Sequence, residues 1–176
     1  MPGFNTINEL RENIISRPII KTHSYLVEFS NVPVPGPWSD TLLVENVTLP
    51  GRSIATIERR RFGPQYDMPY ERVFSGDLEM TFVYQAGPNN IREALGKWMD
   101  KIIAPETNDI QIARSEYVGQ CDILLYDNDR PVYNMTVFEV FPKLLSPIQL
   151  SYGENDNYVR QPVSFSFRSF TEIYNT

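Results

Sequence analysis

Apolar and polar residues alternate with a period of two along most of this chain, and shift to the helical period of 3.6 at one convincing place. The clearest alternation covers residues 77–84, where Leu78, Met80, Phe82 and Tyr84 share one face and Asp77, Glu79 and Thr81 the other. That is the pattern of a half-buried strand. Residues 23–29 read the same way, with Tyr25, Val27 and Phe29 opposite Ser24, Leu26 and Glu28. Residues 41–48 predict a second strand, closed by Leu49-Pro50-Gly51. Residues 54–62 predict a third, with Ile54, Thr56 and Glu58 on one side. Gly63-Pro64 and Met68-Pro69 mark residues 63–69 as a long loop.

The helical stretch follows Pro88-Asn89. Ile91, Leu95, Trp98, Met99 and Ile102 fall on one stripe, while Arg92, Glu93, Lys97 and Asp100 take the wet face. Asn89 or Asn90 supplies the N-cap, and Ala104-Pro105 ends the helix. Residues 105–116 read as a polar loop. Beyond them, residues 117–126 and 132–141 predict a hairpin across Asp127-Asn128-Asp129-Arg130. Residues 142–147 are a break, 148–152 a short strand, 153–157 a polar turn and 159–170 a final strand. At the other end, residues 1–20 predict an arm. In it Ile7, Leu10 and Ile14 form one face of a short helix capped by Asn5 or Thr6 and stopped at Arg17-Pro18. A Pro-rich connector, residues 31–37, excludes regular structure.

The fold class expected is mainly β: an antiparallel β-barrel or sandwich with one amphipathic α-helix. The domain expectation is an arm over residues 1–20 and a single domain over 21–176. Length supports this, since 176 residues suit one core. Ten Tyr and ten Phe favour pleated surfaces, and 14 Pro favour ordered loops. The net charge of −6 argues against a nucleic-acid clamp, which needs Lys and Arg against phosphates. One cysteine, Cys121, excludes an internal disulfide. Residues 1–17 do not read as a signal peptide, and no stretch approaches the ~18 apolar residues of a membrane helix.

Little catalytic chemistry is visible. His23 opens a strand with no local Ser, Cys or acid arranged around it, and Cys121 sits in an apolar strand. Four Cys or His ligands for zinc do not exist. Asp127-Asn128-Asp129 begins like a calcium loop, but Val132 and Phe138 stand where Gly and Glu are required. The expectation is no catalytic residue, no cofactor, no metal and no enzyme activity. Arg59-Arg60-Arg61 is the sharpest charge feature. It reads either as a contact patch for an acidic surface or nucleic acid, or as a solvated strand edge whose charges block aggregation.

The order of these pieces resembles the tail tube proteins of contractile-tailed phages, which share a fold with the haemolysin-coregulated tube protein of type VI secretion. The resemblance runs from about Arg17 to Ile173. It rests on Arg17-Pro18 before Tyr25-Leu-Val-Glu-Phe29, the bend Val47-Thr-Leu-Pro50-Gly51, and Glu71-Arg-Val-Phe74 leading into Leu78-Glu-Met-Thr-Phe-Val83. The helix with Trp98 and the run Val137-Phe-Glu-Val-Phe-Pro142, Leu150-Ser-Tyr152, Val163-Ser-Phe-Ser-Phe167 complete it.

The resemblance implies hexameric rings stacked into an inner tail tube, a structural virion protein assembled in the host cytoplasm. It implies sheath, baseplate and terminator proteins as partners, DNA passing through the lumen without specific binding, and no membrane. The inter-subunit contact candidates are Arg59, Arg60, Arg61, Tyr66 in the 63–69 loop, Glu154 and Asp156. Glu106 and Asp109 are alternative acceptors for the arginines. Asp77 and Glu79, outward on a strand, are the lumen-facing candidates. The longer connector and arm leave room for a tube-initiating baseplate protein of the same fold. The alternative of another class is a monomeric β-barrel binding module or enzyme.

Overall fold

Leu78, Met80 and Phe82 are buried while Glu79 between them is exposed, so the alternation in this strand sets one face on the core and one on solvent. A computed structural model describes residues 21–38, 44–60, 62–88, 90–110, 112–127, 130–148, 150 and 158–174. The expected arm over residues 1–20 lies outside them. The strands are β1 (Tyr25–Ser30), β2 (Val44–Thr48), β3 (Gly51–Arg59), β4 (Tyr66–Ser75), β5 (Leu78–Val83), β6 (Gly119–Asp127), β7 (Arg130–Leu145), β8 (Arg160–Ser166) and β9 (Ser169–Tyr174). The helices are α1 (Ile91–Ile102) and the single turn α2 (Arg114–Tyr117).

All pairings between strands are antiparallel, in the order β1-β6-β7-β8-β5-β2, with β9 also on β7 and β3-β4 standing apart. The 16-residue β7 belongs to two layers. Its first half pairs with β6 and β9, and its second half with β8. The switch occurs at Glu139. Val140 opposes Gly119 and Phe138 opposes Gln120, so Glu139 is left without a partner, a bulge with φ of 54°. A non-glycine residue in the left-handed region is strained. Here two cations hold it: Arg168 donates to one carboxylate oxygen at 2.6 Å and Arg114 to the other at 2.7 Å.

The two layers enclose one core. Val27, Phe29, Cys121, Ile123, Met135 and Val137 face it from one side, and Leu78, Met80, Phe82, Val163 and Phe165 from the other. α1 covers it with Ile91, Leu95, Trp98 and Ile102. Asn90 is the cap, accepting from the Glu93 amide at 2.9 Å. Trp98 is fully buried between Trp38 and Phe165, with ring centroids 5.4 and 6.4 Å away, and its indole nitrogen donates to the Tyr117 carbonyl at 2.7 Å. Backbone comes close to these indoles. A Cβ on Gly119 would lie 3.2 Å from Trp98, and one on Gly36 would lie 2.7 Å from Trp38. The buried Gln161 is satisfied by Arg92 of α1 and by donating to the Ser146 and Pro162 carbonyls.

Four expectations are corrected. Residues 66–69, read as loop, begin β4, which tolerates Pro69 because only one strand pairs with it. The expected break at Pro142 is crossed by β7, whose register shifts between Pro142 and Leu144. The long final strand is two strands, β8 and β9, separated at Phe167 and Arg168, so the chain can serve both layers. The polar loop over 105–116 contains the first three residues of α2.

The Glu139 clamp yields a pH prediction. Hydrogen bonds from Arg168 and Arg114 hold its carboxyl below the ordinary carboxylate range. A depressed folded-state pKa stabilises above the unfolded value and loses that stabilisation as pH falls through the folded one. The stability gap between wild type and Glu139→Gln should therefore be widest above about pH 4 to 5. It should close on further acidification in paired thermal melts. A gap independent of pH would remove the clamp as its cause.

Candidate functional site

β3 and β4 are long strands with no third strand beside them among the described residues. Every described side chain of β3 is exposed or half-exposed, and among the described side chains of β4 Phe74 alone packs against the core. The root is fixed there: Phe74 meets Phe170 edge-on at 5.0 Å, and Arg52 lies over the Phe170 ring and pairs with Glu172. Beyond the root no described residue of the body covers the ribbon. Nine strand residues reach about 30 Å.

Register sorts the arm into two faces. Tyr70 is the extra residue, because Ala55 opposes Glu71 and the next residue, Thr56, opposes Pro69. One face carries Ser53, Ala55, Ile57 and Arg59 with their partners Val73, Glu71, Met68 and Tyr66. The other carries Arg52, Ile54, Thr56 and Glu58 with Phe74, Arg72, Pro69 and Asp67. The first face is largely apolar, yet Ile57 is 48% exposed, Met68 43% and Tyr66 54%. Phe62 at the tip is 99% exposed. An isolated two-stranded ribbon is marginal in water, and an apolar one is an association surface. On the other face Glu58 and Asp67 are directly opposite, a like-charge pair that weakens the ribbon further unless a partner supplies cations.

Open edges accompany the arm. β1 and β2 end the sheet path, and no ladder joins them among the described residues. The Tyr25 hydroxyl donates across to the Val44 carbonyl at 3.0 Å and the Glu45 carbonyl at 2.6 Å. β9 pairs only with β7, which leaves its other edge free of any described strand. Unpaired edges invite strands from other chains.

Of the contact candidates, Arg59 and Tyr66 meet as a cross-strand pair at the end of the arm, with exposed Arg60 next to them. Arg61, Glu154 and Asp156 lie outside the described residues. The lumen candidates are separated. Asp77 sits in the turn before β5 and pairs with Lys143 at 2.7 Å. Glu79 lies on the outer face of β5, between Thr48 and Ser164. Cys121 is enclosed in the core, where burial pushes its thiol up and leaves it protonated. Among the described residues no group of three His, Cys, Asp or Glu is placed to hold a metal ion. Among the described residues no helix is long and apolar enough to cross a membrane.

Ile57, Met68 and Glu139 carried no signal that sequence reading uses. An uncovered Ile in a strand looks like a buried one, and a bulged Glu looks like any outward residue.

Residues 39–173 match the family model described as phage tail tube protein. No curated protein matches the chain. Among solved structures, the chain is similar to one from the anti-feeding prophage baseplate, at 14% identity and a TM-score of 0.67, covering 90% of this chain and 97% of that one. It is similar to a chain of the sheath–tube complex of an extracellular contractile injection system, at 16% identity and a TM-score of 0.63, covering 93% and 97%. It is also similar to one from the anti-feeding prophage cap, at 17% identity and a TM-score of 0.62, covering 90% and 93%. At these identities the likeness is one of fold.

Proposed function

The chain belongs to the phage tail tube protein family, and from that premise we propose that it assembles as hexameric rings stacked into the inner tube of a contractile tail. The observation that carries this is the exposed β3–β4 arm, whose apolar face packs on nothing among the described residues. A contact between two different patches closes into a ring or runs on as a filament, and a tube needs both. The edges of β1, β2 and β9 that no described strand pairs supply strand partners for ring closure. The arm supplies a reach long enough to cross to a neighbour.

The similar baseplate structure was symmetrised six-fold, and another similar chain comes from a sheath–tube complex. Sheath, baseplate and terminator proteins are the partners that suit such a tube. The role is structural rather than catalytic: a component of the particle's tail, assembled in the host cytoplasm, that conducts DNA. The net charge of −6 supports passage without retention, since carboxylates repel phosphates. Glu79 is proposed to face the lumen from a sheet surface of Asn46, Thr48, Thr81 and Ser164. Asp77 at its margin contributes less, being neutralised by Lys143. The likeness to a baseplate chain favours a second reading, a tube initiator that forms single rings.

Sedimentation velocity across concentration and salt tests the proposal. Fast, concentration-dependent species with no retention of duplex DNA are expected. A single monomer boundary under all conditions would rule it out, and rings that never stack would select the initiator.

A further inference from the structure

We propose that the arm tip, Arg59, Arg60 and Phe62, docks on the Ile103–Ile110 loop of a second copy of this chain. This deepens the proposed self-assembly and rests on that reading.

The loop follows α1 and is closed by its own backbone. Ile103 and Ile110 form an isolated antiparallel bridge, the Ala104 amide donates to the Asp109 carbonyl at 3.1 Å, and the Asn108 amide donates to the Ala104 carbonyl at 2.8 Å. Asn108 has φ of 58°, a conformation Asn tolerates. The shape is therefore fixed before any contact, which lowers the cost of ordering. Yet the loop presents Ile103 at 41% and Ile110 at 74% exposure, with nothing described over them. Glu106 and Asp109 flank this apolar pair, both exposed and without an ion pair among the described residues. The nearby cation, Lys101, donates to the Pro33 carbonyl at 2.9 Å.

The arm tip is the complement. Phe62 is almost wholly exposed, and neither Arg59 nor Arg60 has an ion-pair partner among the described residues. Three other exposed apolar residues of the body fit a cationic tip less well. Leu144 follows Lys143, Tyr158 carries the Arg160 guanidinium 4.4 Å above its ring, and Ile173 adjoins Glu172, which Arg52 and Tyr133 already occupy. Phe62 on the two isoleucines supplies the apolar contact; the arginines on Glu106 and Asp109 set register and make it salt-sensitive. Tip and loop are different patches, so each contact leaves a free tip and a free loop for the next copy until the series closes into a ring or runs on.

Two experiments test it on the full chain. In the first, Glu106→Lys with Asp109→Lys should raise the concentration needed for assembly at least about tenfold, and adding Arg59→Glu with Arg60→Glu should restore it. In the second, Phe62→Cys and Ile110→Cys in one chain should give a ladder of disulfide-linked oligomers on mild oxidation. A mixture of the two single variants should stop at dimers. Cys121, buried and protonated, adds no background. No ladder and no charge effect in a protein that still assembles would overturn the docking and leave self-assembly standing. Neither ladder nor any self-association in the wild type would overturn both. Rescue of Glu154→Lys with Asp156→Lys by the same arginine reversals, in place of the loop reversals, would move the contact elsewhere and overturn this one.

Discussion

Ile57→Asp with Met68→Asp should sharply weaken self-association and leave the subunit folded. The two residues are a cross-strand pair in the middle of the arm's apolar face, and both are about half exposed in the single subunit. Burying each against a neighbour contributes up to roughly 1.5–3 kcal/mol, and a buried carboxylate in its place is opposed by desolvation as well. A tenfold change takes about 1.4 kcal/mol, so the threshold concentration should rise by about 100-fold or more. The fold should survive, because among the described residues the body meets the arm at its root, through Phe74, Arg52, Phe170 and Glu172, away from Ile57 and Met68. Sedimentation velocity and circular dichroism read the two effects separately. Normal assembly of the double variant would show that the apolar face is not a contact.

Trp98→Ala has the largest expected effect on stability. The side chain is fully buried and touches Trp38 and Phe165. Removing a core Trp costs about 3–5 kcal/mol, and the Tyr117 carbonyl then loses its donor, at about 1–3 kcal/mol more. Domains are stable by about 5–15 kcal/mol, so the variant loses a large share of its stability. A drop in Tm of at least about 10 °C is expected at this chain length. Melts should be run on the arm-blocked double variant, so that assembly does not contribute to Tm. A shift of only one or two degrees would mean that the site collapses around the deletion, against the aromatic packing described. Trp98→Phe should fall between, since it restores ring contacts but not the hydrogen bond.

The core was largely legible in the chain because burial there is one-sided. Leu78, Met80 and Phe82 alternate with wet residues, and Ile91, Leu95, Trp98 and Ile102 recur at helical spacing, so period alone identified their elements. The cap at Asn90 was one of two expected, and the Glu93 amide selects it. The arm was half legible for the opposite reason. β3 announces itself, but β4 has both faces wet and contains Pro69, so Tyr-Asp-Met-Pro-Tyr shows no alternation to read. Long-range geometry was the other gap. Nothing local in Val137-Phe-Glu-Val-Phe says that Glu139 bulges or that β7 crosses Pro142 into a second layer; pairing with Gly119 and β8 decides both. The candidate site split along the same line. Arg59 and Tyr66 were named from charge and turn residues, whereas Ile57, Met68 and Phe62 show as a surface only once the fold leaves them uncovered.

The most direct measurement of the central proposal is a symmetry-averaged electron-microscopy image of the purified chain at a concentration where it sediments fast. Hollow tubes of stacked six-fold rings are the expected result, with the β3–β4 arm lying on a neighbouring subunit and the sheet edges paired around the ring. Single particles with the arm exposed to solvent, at every concentration and salt tried, would contradict it.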